Sequence, residues 1–338
     1  MKIHRLAPLA LLSVLLAGCG EKGGDAGGAT AVKPLTIAVI PKGTTHEFWK
    51  SVHAGAIQAA QELQKSGQPV EVIWKGPLRE DDRELQIQVV EGFVAQGVSG
   101  IVLAPLDDRA LVRPVEEGAK AGVPTVIIDS NLRTDSTVSF VATDNYKGGQ
   151  LAADRLGELL GGKGKALLLR YQVGSASTED REAGFLKEMQ DKYPGIELVS
   201  TDQYAGATRE TAKRAAENLL NRYAGVIQGA FAPNETSSIG LMLALQDIGK
   251  VGTIKQVGFD SGSTLVEALK NGQIQGLVVQ NPMKMGYLGV KTMVAHLRGE
   301  PVEKRVDTGV VLITPENMNT PASQELLLPP IEKYLSGE

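Results

Sequence analysis

The sequence predicts an α/β protein of two similar doubly wound parallel-sheet lobes, and three observations carry that expectation. From Leu35 onward, short β-branched apolar runs alternate with longer segments of helical period, the rhythm of a parallel sheet covered by helices on both faces. The rhythm runs through once to about Ile128 and begins again near Ala166 without a shared sequence period, which indicates two domains rather than a solenoid. Aromatic residues make up only 4% of the chain and hydrophobic residues 42%. The core is therefore largely aliphatic, which suits sheets buried on both faces.

In chain order, the first strand is Leu35-Thr-Ile-Ala-Val-Ile40, followed by an amphipathic stretch over 46–65 and a strand at Val70-Glu-Val-Ile-Trp74. A helix over 81–96, a strand at Gly100-Ile-Val-Leu103, a helix over 109–121 and a strand over 124–128 complete the first half. The second half places strands at 166–170, 196–200, 224–228 and 254–259, each followed by a helical segment. Later come a strand at Gly276-Leu-Val-Val-Gln280, a helix over 282–298 and extended chain over 304–313. Pro282 suits the first turn of its helix, where a missing donor goes unnoticed. The tail, 314–338, carries Pro315, Pro321, Pro329 and Pro330 and is expected to wrap the surface.

The N-terminus reads as export machinery. Lys2, His4 and Arg5 form a basic head and Leu6 to Ala17 an almost wholly apolar run, the pattern of a signal peptide. That run is too short to cross a hydrocarbon core, which needs roughly 20 apolar residues. It ends in Leu16-Ala17-Gly18-Cys19, which resembles a bacterial lipobox whose thiol receives a diacylglycerol. Cys19 is the one cysteine of the chain, so no internal disulfide is available. Residues 20–34, rich in Gly and Ala, bury too little to fold and read as a flexible tether after the 1–19 signal. Beyond Lys33 about 305 residues remain (338 less 33), more than one core usually serves. The formal net charge is −4 with no basic tract in the body of the chain, which argues against nucleic acid as a partner.

In open parallel sheets ligands sit beyond the carboxyl ends of the strands. That rule selects Lys42, Thr44, Thr45, His46, Phe48 and Trp49 after the first strand, Pro105 to Asp108 after the third, and Asp129, Ser130 and Asn131 after the fourth. The second half contributes Glu179, Asp180 and Arg181, then Asn234 and Glu235, Asp260, and Gln280. Sugars offer hydroxyls that donate and accept together with apolar C–H faces. Asp129 and Asp260 can each accept two hydroxyls, Asn234 and Gln280 can donate and accept together, and Phe48 with Trp49 can cover a ring face. Each also has a plain structural reading. Asp260 is placed to cap the next helix, Phe48 and Trp49 to enter the core, and Arg181 to pair with a carboxylate, while His46 reads as a lining or capping residue rather than a catalyst.

Catalysis finds no support. A metal cluster would have to combine His46 and His53 with carboxylates at an unspecific i,i+7 spacing. No phosphate loop, nucleophile elbow or dinucleotide fingerprint appears. Gly161-Gly-Lys-Gly-Lys165 lacks the following hydroxyl residue and the strand-loop-helix order of a phosphate loop. No catalytic residue, metal or cofactor is expected.

Ile37-Ala-Val-Ile-Pro-Lys-Gly-Thr-Thr-His-Glu-Phe-Trp49, Ile127-Ile-Asp-Ser130, Ala142-Thr-Asp-Asn145, Arg181-Glu-Ala-Gly-Phe185, Ala230-Phe-Ala-Pro-Asn-Glu235, Val257-Gly-Phe-Asp260 and Val278-Val-Gln280 come one after another in family order. Through them the chain, from about Leu35 to Ile313, resembles the ribose-binding-like periplasmic proteins of ABC importers, whose type I fold is shared with the effector domains of LacI-type repressors. The resemblance implies lobes of 35–141 plus 281–307 and of 142–280 plus 308–338, with a ligand cleft between them and three hinge strands near Ala142, Gln280 and Asp307. It also implies that Lys42, His46, Phe48, Trp49 and Asp129 line the site from the first lobe, and Asn234, Asp260 and Gln280 from the second and the hinge.

Two departures bear on the ligand. Ribose binders carry arginines where this chain has Ser130 and Glu179, and an aromatic where it has Ala207, with Tyr204 as a substitute. Lys42 and His46 further alter the donor–acceptor balance, which argues against ribose and for another sugar, a polyol or an amino-bearing ligand. The expected protein is thus a monomeric, lipid-anchored periplasmic binder that closes on a small ligand and hands it to a membrane permease. The alternative is a sensor that presents the closed form to a receptor kinase or chemoreceptor. A repressor is excluded by the N-terminus, where no helix-turn-helix precedes Leu35.

Overall fold

The computed structural model describes residues 34–336; the basic head, the apolar run, Cys19 and the tether up to Lys33 lie outside the described residues. Two six-stranded sheets organise the chain. The first takes β1 (Leu35–Ile40), β2 (Val70–Trp74), β3 (Gly100–Leu103), β4 (Thr125–Ile128), β5 (Phe140–Ala142) and β11 (Arg305–Asp307), in the order β11-β5-β4-β3-β1-β2. The second takes β6 (Gly164–Arg170), β7 (Ile196–Tyr204), β8 (Gly229–Phe231), β9 (Lys255–Phe259), β10 (Gly276–Gln280) and β12 (Val310–Ile313), in the order β12-β10-β9-β8-β6-β7. The two orders are equivalent, so the repeated rhythm of the sequence is a repeated topology.

Strands β3 and β4 are buried at every position, because helices cover both faces. The first sheet packs α1 (Glu47–Lys65) and α9 (Pro282–Leu297) on one side, with Val52, Ala56, Val102, Ile128 and Val290 in one cluster. On the other side lie α2 (Arg83–Gln96) and α3 (Val112–Lys120), through Val89, Phe93, Val115 and Leu103. In the second lobe α4 (Asn145–Leu159) and α5 (Ala176–Lys192) cover one face with Leu156, Phe185, Leu168 and Phe259. Its other face is covered by α6 (Arg209–Tyr223) and α7 (Glu235–Asp247), and α8 (Ser263–Lys270) completes the lobe. Local signals set the helix starts: Asp82, Asp144 and Asn281 each accept a backbone N–H of the first turn, and Thr208 and Asn234 form capping boxes.

The chain passes between the sheets three times, after β5, after β10 and between β11 and β12. Three elements depart from expectation. The third strand of the second lobe is Gly229–Phe231, not 224–228. Ala224, Gly225 and Val226 instead form the turn that leaves α6, with the Val226 N–H bonded to the Tyr223 carbonyl at 2.9 Å. β12 runs antiparallel to β10, since it enters its sheet directly from β11 without a crossover helix. The tail forms α10 (Pro321–Leu327) and α11 (Glu332–Leu335). Leu327 joins the second lobe's core beside Leu277 and Ile313, whereas α11 packs against α1 of the first lobe.

Candidate functional site

Asp129 and Asp260 occupy equivalent places, just past β4 of one sheet and β9 of the other. Among the described residues they are the two non-glycine positions with positive φ, 61° and 74°. Such backbone is strained for a side-chain-bearing residue and gathers at binding sites, where it aims a side chain that regular structure would point elsewhere. Both side chains line one cleft between the lobes, whose cavity is about 30 Å³ as the lobes stand. Asp260 is buried and ties the second lobe's wall together: Oδ2 accepts the Glu235 N–H at 2.9 Å and Oδ1 accepts Gln280 Nε2 at 2.7 Å. Burial pushes its carboxyl up to about 6, against the opposing pull of Arg181 and the Gln280 hydrogen bond.

The first lobe's wall is a connected network. Lys42, on the loop after β1, lies 2.8 Å from Asp129 Oδ2 and donates to Ser130 Oγ at 2.9 Å. It also reaches Ser177 Oγ at 3.1 Å and Ser175 Oγ at 3.4 Å in the second lobe. Four acceptors thus surround an ammonium with three protons. Glu80, on the loop after β2, accepts from Trp49 Nε1 at 2.6 Å, shares a 2.9 Å hydrogen bond with His46 Nδ1 and accepts from the Tyr171 hydroxyl at 2.5 Å. Burial alone would raise the Glu80 carboxyl, but the His46 hydrogen bond and the charges of His46 and Lys42 take it down to about 2. The same contact outweighs burial at His46 and raises its imidazole above the usual value.

Arg181 on α5 is buried from both sides. Its Nε donates to Asn145 Oδ1 at 2.8 Å, Nη1 to the Pro233 carbonyl at 2.9 Å, and its guanidinium lies 3.9 Å from the Phe259 ring centre. Nη2 has no protein partner among the described residues, nor do Glu235 Oε2 and Gln280 Oε1. Buried polar atoms seldom stay unpaired. One donor and two acceptors of residues that line the second lobe's wall are thus left without a protein partner.

Of the residues expected from the strand ends, Lys42, His46, Phe48, Trp49, Asp129, Arg181, Asn234, Glu235, Asp260 and Gln280 line this cleft, and Thr44, Thr45, Pro105 to Asp108, Ser130, Asn131, Glu179 and Asp180 do not. Ser130 lies behind it, accepting from Lys42 and from the Ser177 N–H at 2.9 Å. Glu179 is turned to its own loop, where Oε1 accepts the Gly174 N–H at 2.8 Å. Asn234 lines the cleft, yet its carbonyl is held by the Ser237 N–H in the α7 cap and its amide donates to Thr236. Tyr204 stands aside, 40% exposed and bonded to Arg170; the aromatic that reaches the cleft from the second lobe is Tyr171. Glu80, Tyr171, Ser175, Ser177 and Thr178 also line it and were not expected. Tyr171 and Ser175 lie on the loop after β6, where the strand-end rule would have found them, whereas Glu80 lies six residues past β2 and Ser177 and Thr178 lie on α5. Among the described residues no group of three or more His, Cys, Asp or Glu is placed to hold a metal ion, and no helix is long and apolar enough to cross a membrane.

A family profile described as periplasmic binding protein domain matches residues 37–301. The ribose import binding protein of Bacillus subtilis is 29% identical over 282 residues, which cover 83% of this chain and 88% of that protein. The D-allose-binding periplasmic protein of Escherichia coli is 31% identical over 273 residues, 78% of this chain and 85% of the other. Among solved structures, a carbohydrate transporter solute binding protein from Agrobacterium radiobacter, in complex with D-arabinose, superposes with a TM-score of 0.82 at 36% identity, covering 88% of this chain and 99% of that one.

Proposed function

The chain belongs to the periplasmic binding protein domain family, and from that membership we propose that it is the solute-binding protein of an ABC importer that captures a monosaccharide or polyol. The observation that carries this reading is the pair of left-handed aspartates, Asp129 and Asp260, facing one polar cleft from two lobes. Hydroxyls both donate and accept, so they match a wall that leaves Gln280 Oε1, Glu235 Oε2 and Arg181 Nη2 without a protein partner. Phe48 supplies an apolar edge for a ring face. The site binds and releases; it performs no turnover. Relatives that bind ribose, D-allose and D-arabinose support the ligand class.

The lobes of the proposed binding cycle are 35–141 plus 281–307 and 142–280 plus 308–338. They hinge where the chain passes between sheets, and the ligand favours the closed arrangement through contacts with both. Delivery to a permease is preferred over presentation to a receptor because the ribose-binding relative is an import protein. We take the protein to be monomeric, exported by the 1–19 signal and anchored at Cys19; loss of fatty-acid labelling in a Cys19→Ser variant tests the anchor.

The function is tested by thermal-shift titration with pentoses, hexoses, polyols, amino sugars and nucleosides, since ligand at 100 times its Kd adds about 2.7 kcal/mol. A shift for one sugar class that disappears in Asp260→Ala is the expected result. Folded, ligand-free protein that responds to no sugar or polyol would overturn the reading.

A further inference from the structure

Beside the polar cleft lies a chamber of about 160 Å³ that shares Phe48, Asp260 and Gln280 with it. We propose that this chamber is a second subsite that takes an apolar ring, carried as the aglycone of the sugar held in the polar cleft; the sugar half of that statement rests on the function proposed above. Three features point to such an occupant.

The first is size. An apolar cavity of about 150 Å³ is known to hold benzene, so the chamber admits a phenyl ring. The polar cleft is the smaller of the two, about 30 Å³ as the lobes stand, so a sugar enters it with the lobes apart. The second is the character of the walls. Phe48, Pro282, Leu327, Leu328, Pro329 and Ile331 contribute apolar surface, and the last four come from the C-terminal tail where it passes from the second lobe to α1. Burying a ring there removes apolar area from water at about 25 cal/mol per Å².

The third is the polar wall that the two cavities share. Gln280 is buried and its Oε1 has no protein partner among the described residues, so it can accept a sugar hydroxyl at the junction. Glu47 also borders the chamber from the first lobe and accepts the Ser263 N–H and hydroxyl of the second at 2.6 and 2.5 Å. A ring in the chamber therefore touches both lobes and the tail, and it favours the closed arrangement by its differential contacts.

The test is calorimetric titration of the full chain with D-ribose, D-allose and D-arabinose, with the phenyl glycosides of the same three sugars, and with benzyl alcohol followed by ligand-detected NMR. The expected result is a phenyl glycoside that binds at least tenfold more tightly than its free sugar. That gain should vanish in Ile331→Trp, which fills the chamber from the tail, and in Ser51→Leu, which fills it from α1, while free-sugar affinity stays within twofold. Free sugars that bind with no gain from the phenyl group overturn the chamber and leave the sugar reading intact. Benzyl alcohol bound by the parent chain and lost in Ile331→Trp, with no sugar bound, upholds the ring site and removes the sugar. No binding of any probe removes both.

Discussion

Asp260 joins two requirements that conflict. Its carboxylate is needed as an acceptor, yet burial holds it near 6 against 3.8 in an ordinary setting. A raised native value means that between those limits the folded chain binds more protons than the unfolded one, so stability from this group is intact below 3.8 and is lost as pH rises through 6. The loss is on the order of 3 kcal/mol. Asp260→Asn is therefore expected to gain about 1–3 kcal/mol in denaturant unfolding at pH 8, to gain nothing at pH 4, and to lose ligand binding at both. Equal effects at the two pH values would count against buried ionisation as the cause. Glu80 has the opposite sign. Held at about 2, it stabilises above its ordinary 4.5 and ceases to as pH falls toward 2, while His46, raised above 6.5, stabilises below that value and ceases to as pH rises past its native one. The pair contributes most between 4.5 and 6.5, and Glu80→Gln is expected to cost on the order of 3 kcal/mol near pH 6, read from urea unfolding across pH. Residues placed at the end of a strand or immediately after it are visible in the sequence, which is how Gln280, Asp129 and Asp260 were legible. Glu80, six residues beyond β2, stayed hidden because loop length conceals which residue returns to the sheet edge.

Between elements, the packing of α4 on α5 explains one motif that the sequence displayed without a reason. A methyl group at Gly184 would stand 2.1 Å from the Tyr146 carbonyl oxygen, and one at Gly149 1.9 Å from the Arg181 carbonyl oxygen, so the two helix backbones touch where only hydrogen fits. Gly184→Ala must push α5 outward, which is expected to cost about 3 kcal/mol and to displace Arg181, one turn away, with a fall in ligand affinity. Gly225→Ala, with nothing within 4 Å of the added carbon, is the control and should leave both unchanged. Apolar alternation made the helices and nearly all the strands readable. It failed at 224–228 because the apolar run Ala-Gly-Val-Ile there serves a turn, and Val226 is 47% exposed. It was silent on the direction of β12, since alternation marks a strand and not its sense.

On the scale of the whole molecule the two lobes are held by contacts that no strand or helix pattern announces. Ser177 of α5 meets both Lys42 and Ser130, Tyr171 and Gln172 meet Glu80, and the Asp108 N–H donates to the Gly174 carbonyl at 2.9 Å. Serines and loop amides are common in any sequence, so only the fold reveals which of them face across the cleft. Each such bond adds to the closed arrangement and nothing to the open one. Both Glu47–Ser263 bonds are exposed to solvent, so the two together are worth about 1–2 kcal/mol, and losing them lowers the closed population roughly 5- to 30-fold. Apparent affinity falls in proportion wherever the binding-competent state is a minor one. In the proposed binding cycle encounter takes place on open lobes and escape requires them to part, so the change belongs in the dissociation rate. Glu47→Ala is thus expected to speed sugar release severalfold in stopped-flow displacement and to leave the association rate within about twofold, with unfolding stability little altered because Glu47 contributes to neither core. A variant that slows association while release is unchanged would mean that Glu47 guides the ligand inward and does not hold the lobes together.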